Sequence, residues 1–261
     1  MRVVSLTCSN TEIVCALGCA AELVGVDDHS DYPVEVVTRL PRVGPDLGID
    51  VTRVAALNPD LVLASLTVPG HERVVERLAA AKLPFFAPEP TSLADVYDDI
   101  AQIAARLDVS ARGVELVQNM RREIGSAAAR DTAPRLLVEW WPKPVIVPGR
   151  KSWVQDLIER AGGTNPFAAR DVKSTPISDD EAVRAAPDAV IMSWCGVRLE
   201  KYRAEVVYRR PAWQQIPALV ERRVFAVPEA FLGRPGPRLV EGFRALREIV
   251  QSIERFSASS I

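Results

Sequence analysis

Histidine and cysteine are scarce in this sequence, with two and four among 261 residues. Two histidines are too few for a zinc site of the usual kind, so a receptor for a bare metal ion is disfavoured. No apolar run has the roughly 18 residues of a membrane-spanning helix, so the chain is not expected to span a membrane. The net charge is -2 and no run carries a single sign, so neither nucleic acid nor anionic lipid is an expected partner.

The sequence also lacks the common motifs of nucleotide-binding and hydrolytic enzymes. No Gly-x-Gly-x-x-Gly follows the first predicted strand, and the Gly-Arg-Lys-Ser at 149–152 has no upstream glycine at the spacing of a phosphate-binding loop. No Gly-x-Ser-x-Gly elbow occurs. We therefore expect a protein that is not an enzyme and has no catalytic residues.

The cysteines keep one function of another class open. Cys8 lies at a predicted strand-to-helix turn, where a helix N-terminus can activate a thiol, and Cys195 follows a strand in the second half. A cytoplasmic enzyme or sensor that uses Cys8 or Cys195 is this alternative, although no accompanying base is identifiable. Cys15 and Cys19 are four residues apart on a predicted helix, which favours buried free thiols over a disulfide.

The amino terminus does not read as an export signal. It lacks a basic region, an apolar stretch and a small-residue cleavage site, and residues 2–6 predict a core strand. The expected location is the cytoplasm for the chain as it stands, and the periplasm or the cell surface if a leader was removed.

An internal repeat indicates the architecture. Residues 53–65 (RVAALNPDLVLAS) align without a gap with residues 181–193 (EAVRAAPDAVIMS), and each segment predicts a helix, a Pro-Asp step and an apolar strand. Strands and helices alternate on both sides of this repeat, with 48% hydrophobic and 25% charged residues overall. The prediction is an α/β fold with two Rossmann-like lobes and a ligand cleft between them.

A helical stretch separates the two halves. Apolar residues recur at steps of three and four from 93 to 124, which predicts a helix over 93–107, a break at 108–109 and a helix over 111–129. This stretch is interpreted as a long interlobe helix, stiff enough to permit only small opening motions. The predicted domains are an N-terminal lobe, a helical linker and a C-terminal lobe with a terminal helix, at 1–91, 92–133 and 134–261.

Three local predictions concern polar or irregular segments. Ser9 or Asn10 is expected to cap a helix over 12–17. Residues 140–144 are predicted to form a loop, because two prolines interrupt them. Residues 229–238 are predicted to form a Gly/Pro-rich loop.

Several segments resemble the substrate-binding proteins of cobalamin and iron-chelate uptake, a class III periplasmic-binding-protein-like family, and the cobalamin-binding branch is the most similar. The segments are 2–18, 24–33, 40–44, 54–65, 148–167 and 234–243. The resemblance implies a monomer that needs no cofactor and hands a metal-containing small molecule to an ABC permease. The implied ligand is a cobalt corrinoid, and haem or an iron–siderophore is the alternative.

The sequence departs from that branch at several positions. Ser65 and His29 stand where the cobalamin-binding proteins carry aromatic residues, and a tryptophan of the next loop is replaced around Asp46. The acidic residues that meet the permease correspond to Thr52 and Asp180, so one of the two docking positions is not acidic.

Aromatic residues after two strands are the first ligand-binding candidates. Trp140 and Trp141 follow a predicted strand, and flat rings suit a large flat ligand. Because alternate strand residues face opposite sides, one ring is expected in the core and one in the cleft. Trp194 and Cys195 follow the repeated strand of the second half. A ligand contact by Trp194 is favoured over metal ligation by Cys195.

His29 and the segment after residue 228 supply the polar candidates. His29 is interpreted either as an axial ligand of cobalt or iron or as a loop histidine bonded to a neighbouring aspartate. Ligand contacts are also expected from Ser65, Glu229, Phe231 and Arg234. Arg234 could meet anionic groups of a ligand, together with Arg150, Lys151 and Arg198. Glu229 and Glu139 could accept amide donors from the ligand or pair with those arginines.

Overall fold

The computed structural model describes residues 1–125 and 132–258, which form a mixed α/β structure of two compact units. Unit 1 comprises Met1–Pro90 and Ala94–Met120, and unit 2 comprises Thr91–Leu93 and Arg121–Ile261. Within the described ranges, no helix has both the length and the apolar character needed to cross a bilayer. The domain boundaries expected at 91 and 133 stay a prediction, and part of the expected linker (126–131) lies outside the described residues.

Unit 1 is built around one parallel sheet in the order β2-β1-β3-β4. Its strands are β1 (Val3–Ser5), β2 (Leu23–Val26), β3 (Leu61–Leu63) and β4 (Phe85–Phe86). Its helices are α1 (Cys8–Ala16), α2 (Val34–Val37), α3 (Val51–Ala56) and α4 (His71–Ala80). Every residue of β1 and β3 is buried, as expected for central parallel strands that are covered on both faces.

Two further helices follow unit 1's last strand. They are α5 (Leu93–Arg106) and α6 (Ser110–Ile124). The predicted break is present, and Asp108 within it has a left-handed φ of 58°. The predicted end of the second helix is wrong, because α6 ends at Ile124 and Gly125 has a φ of 42°. The rest of that prediction, 126–129, lies outside the described residues.

Unit 2 contains two three-stranded sheets. The parallel sheet has the order β10-β9-β5 and the antiparallel sheet the order β6-β7-β8. The strands are β5 (Leu136–Glu139), β6 (Trp141–Pro142), β7 (Val145–Pro148), β8 (Ser174–Ile177), β9 (Ala189–Met192) and β10 (Val224–Ala226). The helices are α7 (Trp153–Ala161), α8 (Asp179–Ala185), α9 (Glu205–Tyr208), α10 (Pro217–Val220), α11 (Glu229–Leu232) and α12 (Leu239–Ala258).

The sequence repeat corresponds to a repeated anchoring contact. In unit 1 the carboxylate of Asp60, just before β3, accepts a hydrogen bond of 2.7 Å from the backbone N–H of Arg2. In unit 2 the carboxylate of Asp188, just before β9, accepts one of 2.7 Å from the backbone N–H of Arg135. Asp60 therefore joins the start of β3 to the start of β1, and Asp188 joins the start of β9 to that of β5. This contact accounts for the aspartate of the Pro-Asp step in both copies.

Three local predictions are wrong. Helix α1 begins at Cys8, so Ser9 and Asn10 lie inside its first turn, and the Asn10 amide instead donates to the carbonyl of Ala64 at 2.7 Å. The expected loop 140–144 contains β6, which pairs with β7 in a hairpin. The expected loop 229–238 contains α11. This helix can approach α12 because a Cβ at Gly242 would lie only 2.1 Å from the Phe231 carbonyl.

Candidate functional site

Polar loops follow the carboxyl ends of the parallel strands in unit 1, where α/β sheets commonly bind ligands. His29, after β2, is exposed, and its backbone N–H donates to Asp27 at 2.9 Å. Asp27 is buried and also accepts from the Ser30 hydroxyl. Burial raises the pKa of the Asp27 carboxyl, although these hydrogen bonds oppose that shift. The loop is therefore held through the backbone of His29.

The imidazole of His29 makes no hydrogen bond or ion pair to any residue that the structure describes. The alternative of a loop histidine bonded to a neighbouring aspartate is confirmed for Asp27, and the backbone N–H of His29 makes the bond. Within the described ranges, no three His, Cys, Asp or Glu side chains form a group suited to a metal ion. The expected role of His29 as an axial ligand stays a prediction.

The thiol of Cys8 lies next to this loop. The thiol donates a hydrogen bond to the carbonyl of His29 at 3.1 Å and so helps to hold the loop in place.

Ser65, two residues after the end of β3, is buried. Its hydroxyl oxygen lies 2.9 Å from the Thr67 hydroxyl and accepts from the backbone N–H of Thr67 at 3.2 Å. The side chain thus stabilises its own turn, and a ligand contact by Ser65 stays a prediction.

His71 is a structural residue at the start of α4. The ring is buried, its Nδ1 accepts from the backbone N–H of Val68 at 3.3 Å, and its Nε2 lies 2.7 Å from Asp46. Because a backbone N–H can only donate, Nε2 carries the proton in the neutral ring and donates to Asp46. Asp46 therefore holds its loop against α4.

In unit 2, the two adjacent tryptophans have opposite environments. Trp140 is 8% exposed, whereas Trp141 on β6 is 41% exposed. Trp140 is buried as one of the two rings was predicted to be, and the placement of Trp141 in a ligand cleft stays a prediction. The other three tryptophans, Trp153, Trp194 and Trp213, are at most 9% exposed, so Trp141 is the one accessible indole of five.

A buried ionic network lies at the carboxyl ends of β5 and β9. Glu139 is fully buried, and its carboxylate accepts two hydrogen bonds from Arg210, at 2.7 and 2.9 Å, and one from the Trp194 indole at 2.8 Å. The expectation that Glu139 accepts ligand donors or pairs with Arg150, Lys151, Arg198 or Arg234 is wrong. Its partner is Arg210, and its oxygens are already occupied.

Trp194 belongs to the core rather than to an exposed surface. Its ring centroid is 5.1 Å from that of Tyr202, and the ring is 5% exposed. Since the indole N–H is committed to Glu139, the predicted ligand contact by Trp194 has no support in this geometry.

Cys195 is exposed, but its surroundings do not favour the thiolate. Desolvation by the surrounding residues, followed by the negative charge of Glu229, raises the pKa of Cys195 to about 12. The thiol is therefore protonated at neutral pH, and metal ligation or nucleophilic chemistry would have to overcome that shift.

The segment after β10 carries Glu229, Phe231 and Arg234, and two side-chain pairs form within it. Arg234 Nε donates to the Glu229 carboxylate at 3.2 Å, and the guanidinium of Arg238 lies 4.8 Å from the Phe231 ring centroid. Arg150 and Lys151 instead both pair with Asp171, and these contacts lower the pKa of the Asp171 carboxyl. Of the expected cationic group, Arg234 is the member that pairs with Glu229.

The two positions expected to dock a permease are structurally equivalent. Thr52 and Asp180 are both exposed in the first turn of a helix, α3 and α8, and each helix follows a side-chain cap, Asp50 and Ser178. Asp180 has no hydrogen-bonding or ionic partner among the described residues, whereas its neighbour Asp179 accepts from the Trp213 indole.

A family model described as periplasmic binding protein matches residues 3–230. The chain belongs to the periplasmic binding protein family. That family consists of substrate-binding proteins rather than enzymes, and the predicted α/β class with parallel sheets is confirmed.

Several relatives of this periplasmic binding protein are similar over nearly its whole length. An uncharacterised ABC transporter substrate-binding lipoprotein of Bacillus subtilis, YvrC, is 28% identical over 95% of this chain and 79% of its own. A vitamin B12-binding protein of Vibrio parahaemolyticus is 26% identical over 97% of this chain and 90% of its own. The solved apo structure of the heme-binding protein RhuT from Roseiflexus has a TM-score of 0.81 and 28% identity, and covers 97% and 98% of the two chains.

Arg210 is the residue of this region that sequence reasoning missed. It lies 71 positions from Glu139 in a segment without helical or strand periodicity. The one local signal is its place before Pro211 and near Trp213, which does not identify a distant carboxylate as its partner.

Proposed function

We propose that this periplasmic binding protein serves an ABC-type uptake system and that its ligand is a corrinoid. The observation that carries the proposal is the single exposed indole, Trp141, on a hairpin at the carboxyl end of β5. A flat exposed ring buries much area against a macrocycle at little cost in conformational entropy. The relatives named as vitamin B12-binding proteins support the same ligand class.

His29 supplies the second part of the proposal. An exposed imidazole that is held by its backbone can reach an axial position of cobalt without losing a hydrogen bond inside the protein. Ser65, Glu229, Phe231 and Arg234 remain proposed ligand neighbours, with Arg234 and Glu229 as the polar pair.

A second candidate ligand is haem. The similarity to the heme-binding RhuT favours it, and an axial imidazole suits iron equally well. A Soret shift on adding hemin that disappears in His29→Ala would favour haem over a corrinoid.

The proposal extends to docking. Asp180 is an exposed acidic side chain at the N-terminus of α8, available to an arginine of a permease, whereas Thr52 offers only a hydroxyl at the equivalent position. Docking through Asp180 alone is therefore proposed.

Hydroxyl-radical footprinting with mass spectrometry tests the ligand proposal. Dicyanocobinamide at saturation is expected to lower the labelling rate of Trp141 at least about threefold. Phe256, 66% exposed on α12, serves as the internal control for radical scavenging by the corrinoid. Equal loss of labelling at both rings would mean scavenging alone, and would argue against a corrinoid on Trp141.

A further inference from the structure

The residues on either side of the tryptophan pair meet one guanidinium. Glu139 directly precedes Trp140, and its carboxylate receives two hydrogen bonds from Arg210. Pro142 directly follows Trp141, and its carbonyl accepts from the same Arg210 at 3.4 Å. The chain that presents Trp141 is therefore tied to Arg210 at both of its ends.

Arg210 is itself held in a fixed orientation. The side chain is 12% exposed, and its guanidinium carbon lies 4.3 Å from the centroid of the Trp213 ring. Trp213 is completely buried and donates its indole N–H to Asp179 at 2.7 Å. A guanidinium that is both bidentate and stacked cannot be replaced by an ammonium without loss of geometry.

The carboxylate at the other side of the pair is equally constrained. Glu139 has no exposed surface, and the Trp194 indole donates to the same oxygen that one Arg210 nitrogen contacts. With three donors around it, the carboxylate has one orientation. Backbone bonds continue the support, because Ser193 donates to the carbonyl of Glu139 and Cys195 to that of Trp140.

We propose that Arg210 is a positioning residue that fixes Trp141 for ligand binding. This inference rests on the proposed function, because it takes Trp141 as a ligand contact. Stability alone gives a weak reason for such a pair, since a buried ion pair often contributes little net stability compared with apolar residues of the same volume. Fixing one geometry of the Trp140–Trp141 segment is what the bidentate, stacked arrangement achieves.

A double-mutant cycle tests the proposal. The dissociation constant for dicyanocobinamide is measured by calorimetry in the full chain and in Arg210→Lys, Trp141→Ala and the double variant. Arg210→Lys is expected to weaken binding about tenfold in the native background and less than about threefold when Trp141 is already alanine. A purely structural role would weaken binding by the same factor in both backgrounds, and that result would overturn the proposal.

Arg135→Lys is the matched control. Arg135 stands at the amino end of β5, and its Nε lies 3.5 Å from Asp188, so the same chemical change is made at the other end of the same strand. Its dissociation constant is expected to stay within about twofold of the unmodified chain. If Arg210→Lys does not fold, Glu139→Gln keeps an acceptor for the Trp194 indole while removing the charge that orients Arg210.

The failure of the proposed function is distinguishable from the failure of this inference. If the unmodified chain binds no corrinoid, the ligand proposal fails, and the labelling rate of Trp141 in the free protein becomes the test. Arg210→Lys is then expected to raise that rate by about twofold or more, with Arg135→Lys unchanged. An unchanged rate in Arg210→Lys would overturn the positioning role.

Discussion

Ala186 and Asn58 occupy equivalent positions in the two copies of the repeat, and both have left-handed backbones. The φ angles are 40° and 46°, and each residue precedes the proline of its Pro-Asp step. Asparagine tolerates this region, whereas the Cβ of alanine crowds the neighbouring carbonyl at a cost of roughly 1–2 kcal/mol. Unit 2 therefore carries a local strain that unit 1 avoids by its choice of residue.

Replacing Ala186 by glycine is expected to stabilise the protein. The relief of the left-handed strain exceeds the entropy that glycine adds to the unfolded chain, so the free energy of unfolding should rise by about 0.5–1 kcal/mol. Urea denaturation measures the change. Ala185→Gly, one residue earlier and inside α8, is the matched control and should cost up to about 1 kcal/mol. A loss of stability in Ala186→Gly would contradict the account.

Helix α5 combines a buried apolar stripe with a crowded acidic face. Val96, Ile100 and Ile103 are completely buried, whereas Asp99 is only partly exposed near Asp95 and Asp98. Burial first, and then the two neighbouring negative charges, raises the pKa of the Asp99 carboxyl to about 7. The folded protein therefore holds a proton on Asp99 over a pH range where the unfolded chain has released it.

This difference predicts a pH dependence of stability. Between about pH 4 and pH 7 the folded state binds more protons at Asp99 than the unfolded state, so stability falls as pH rises through this window. Asp99→Asn should remove that loss and stabilise the protein at pH 8 by roughly 1–2 kcal/mol, with little gain at pH 4. Glu115→Gln, which neutralises an exposed carboxylate on α6, is the control and should change stability by less than about 0.5 kcal/mol. An equal gain at both pH values would mean that Asp99 does not titrate as described.

The elements with local sequence patterns could be predicted, and those defined by distant partners could not. Strands β1, β3, β5 and β9 are short apolar runs next to turn residues, so composition indicates them directly. Strand β8 reads Ser-Thr-Pro-Ile and exists because it pairs with β7, nearly thirty residues earlier along the chain. Because serine and proline are unfavourable in strands, rules based on β-propensity do not predict β8.

The same distinction applies to the candidate site. A difference in burial between Trp140 and Trp141 could be expected from the sequence, but strand alternation is not its cause, because Trp140 lies between β5 and β6 and only Trp141 belongs to a strand. The pairing of Glu139 with Arg210 could not be predicted in this way. The two residues are 71 positions apart, and the sequence around Glu139 does not identify a distant guanidinium as its partner. The sequence predicts a ligand contact for Trp194 for the same reason, since the partner of its indole, Glu139, is 55 residues away.

At the scale of the whole molecule, family membership gives the class of function, and side chains must give the ligand. Relatives at similar identity are named for vitamin B12 and for heme, so the family does not decide between them. The chain's own evidence is one accessible indole and one exposed imidazole with a firmly held backbone. Both suit a metal macrocycle, and both are lost by single substitutions.

Calorimetric titration with cyanocobalamin, dicyanocobinamide and hemin tests this account most directly. The experiment uses the full chain at two temperatures, so that a near-zero enthalpy at one of them does not hide binding. We expect one corrinoid per chain with a dissociation constant below about 1 μM, a weaker constant for hemin, and a loss of about tenfold or more for corrinoid in Trp141→Ala. Tight binding of hemin with no heat from either corrinoid at both temperatures would contradict the corrinoid assignment.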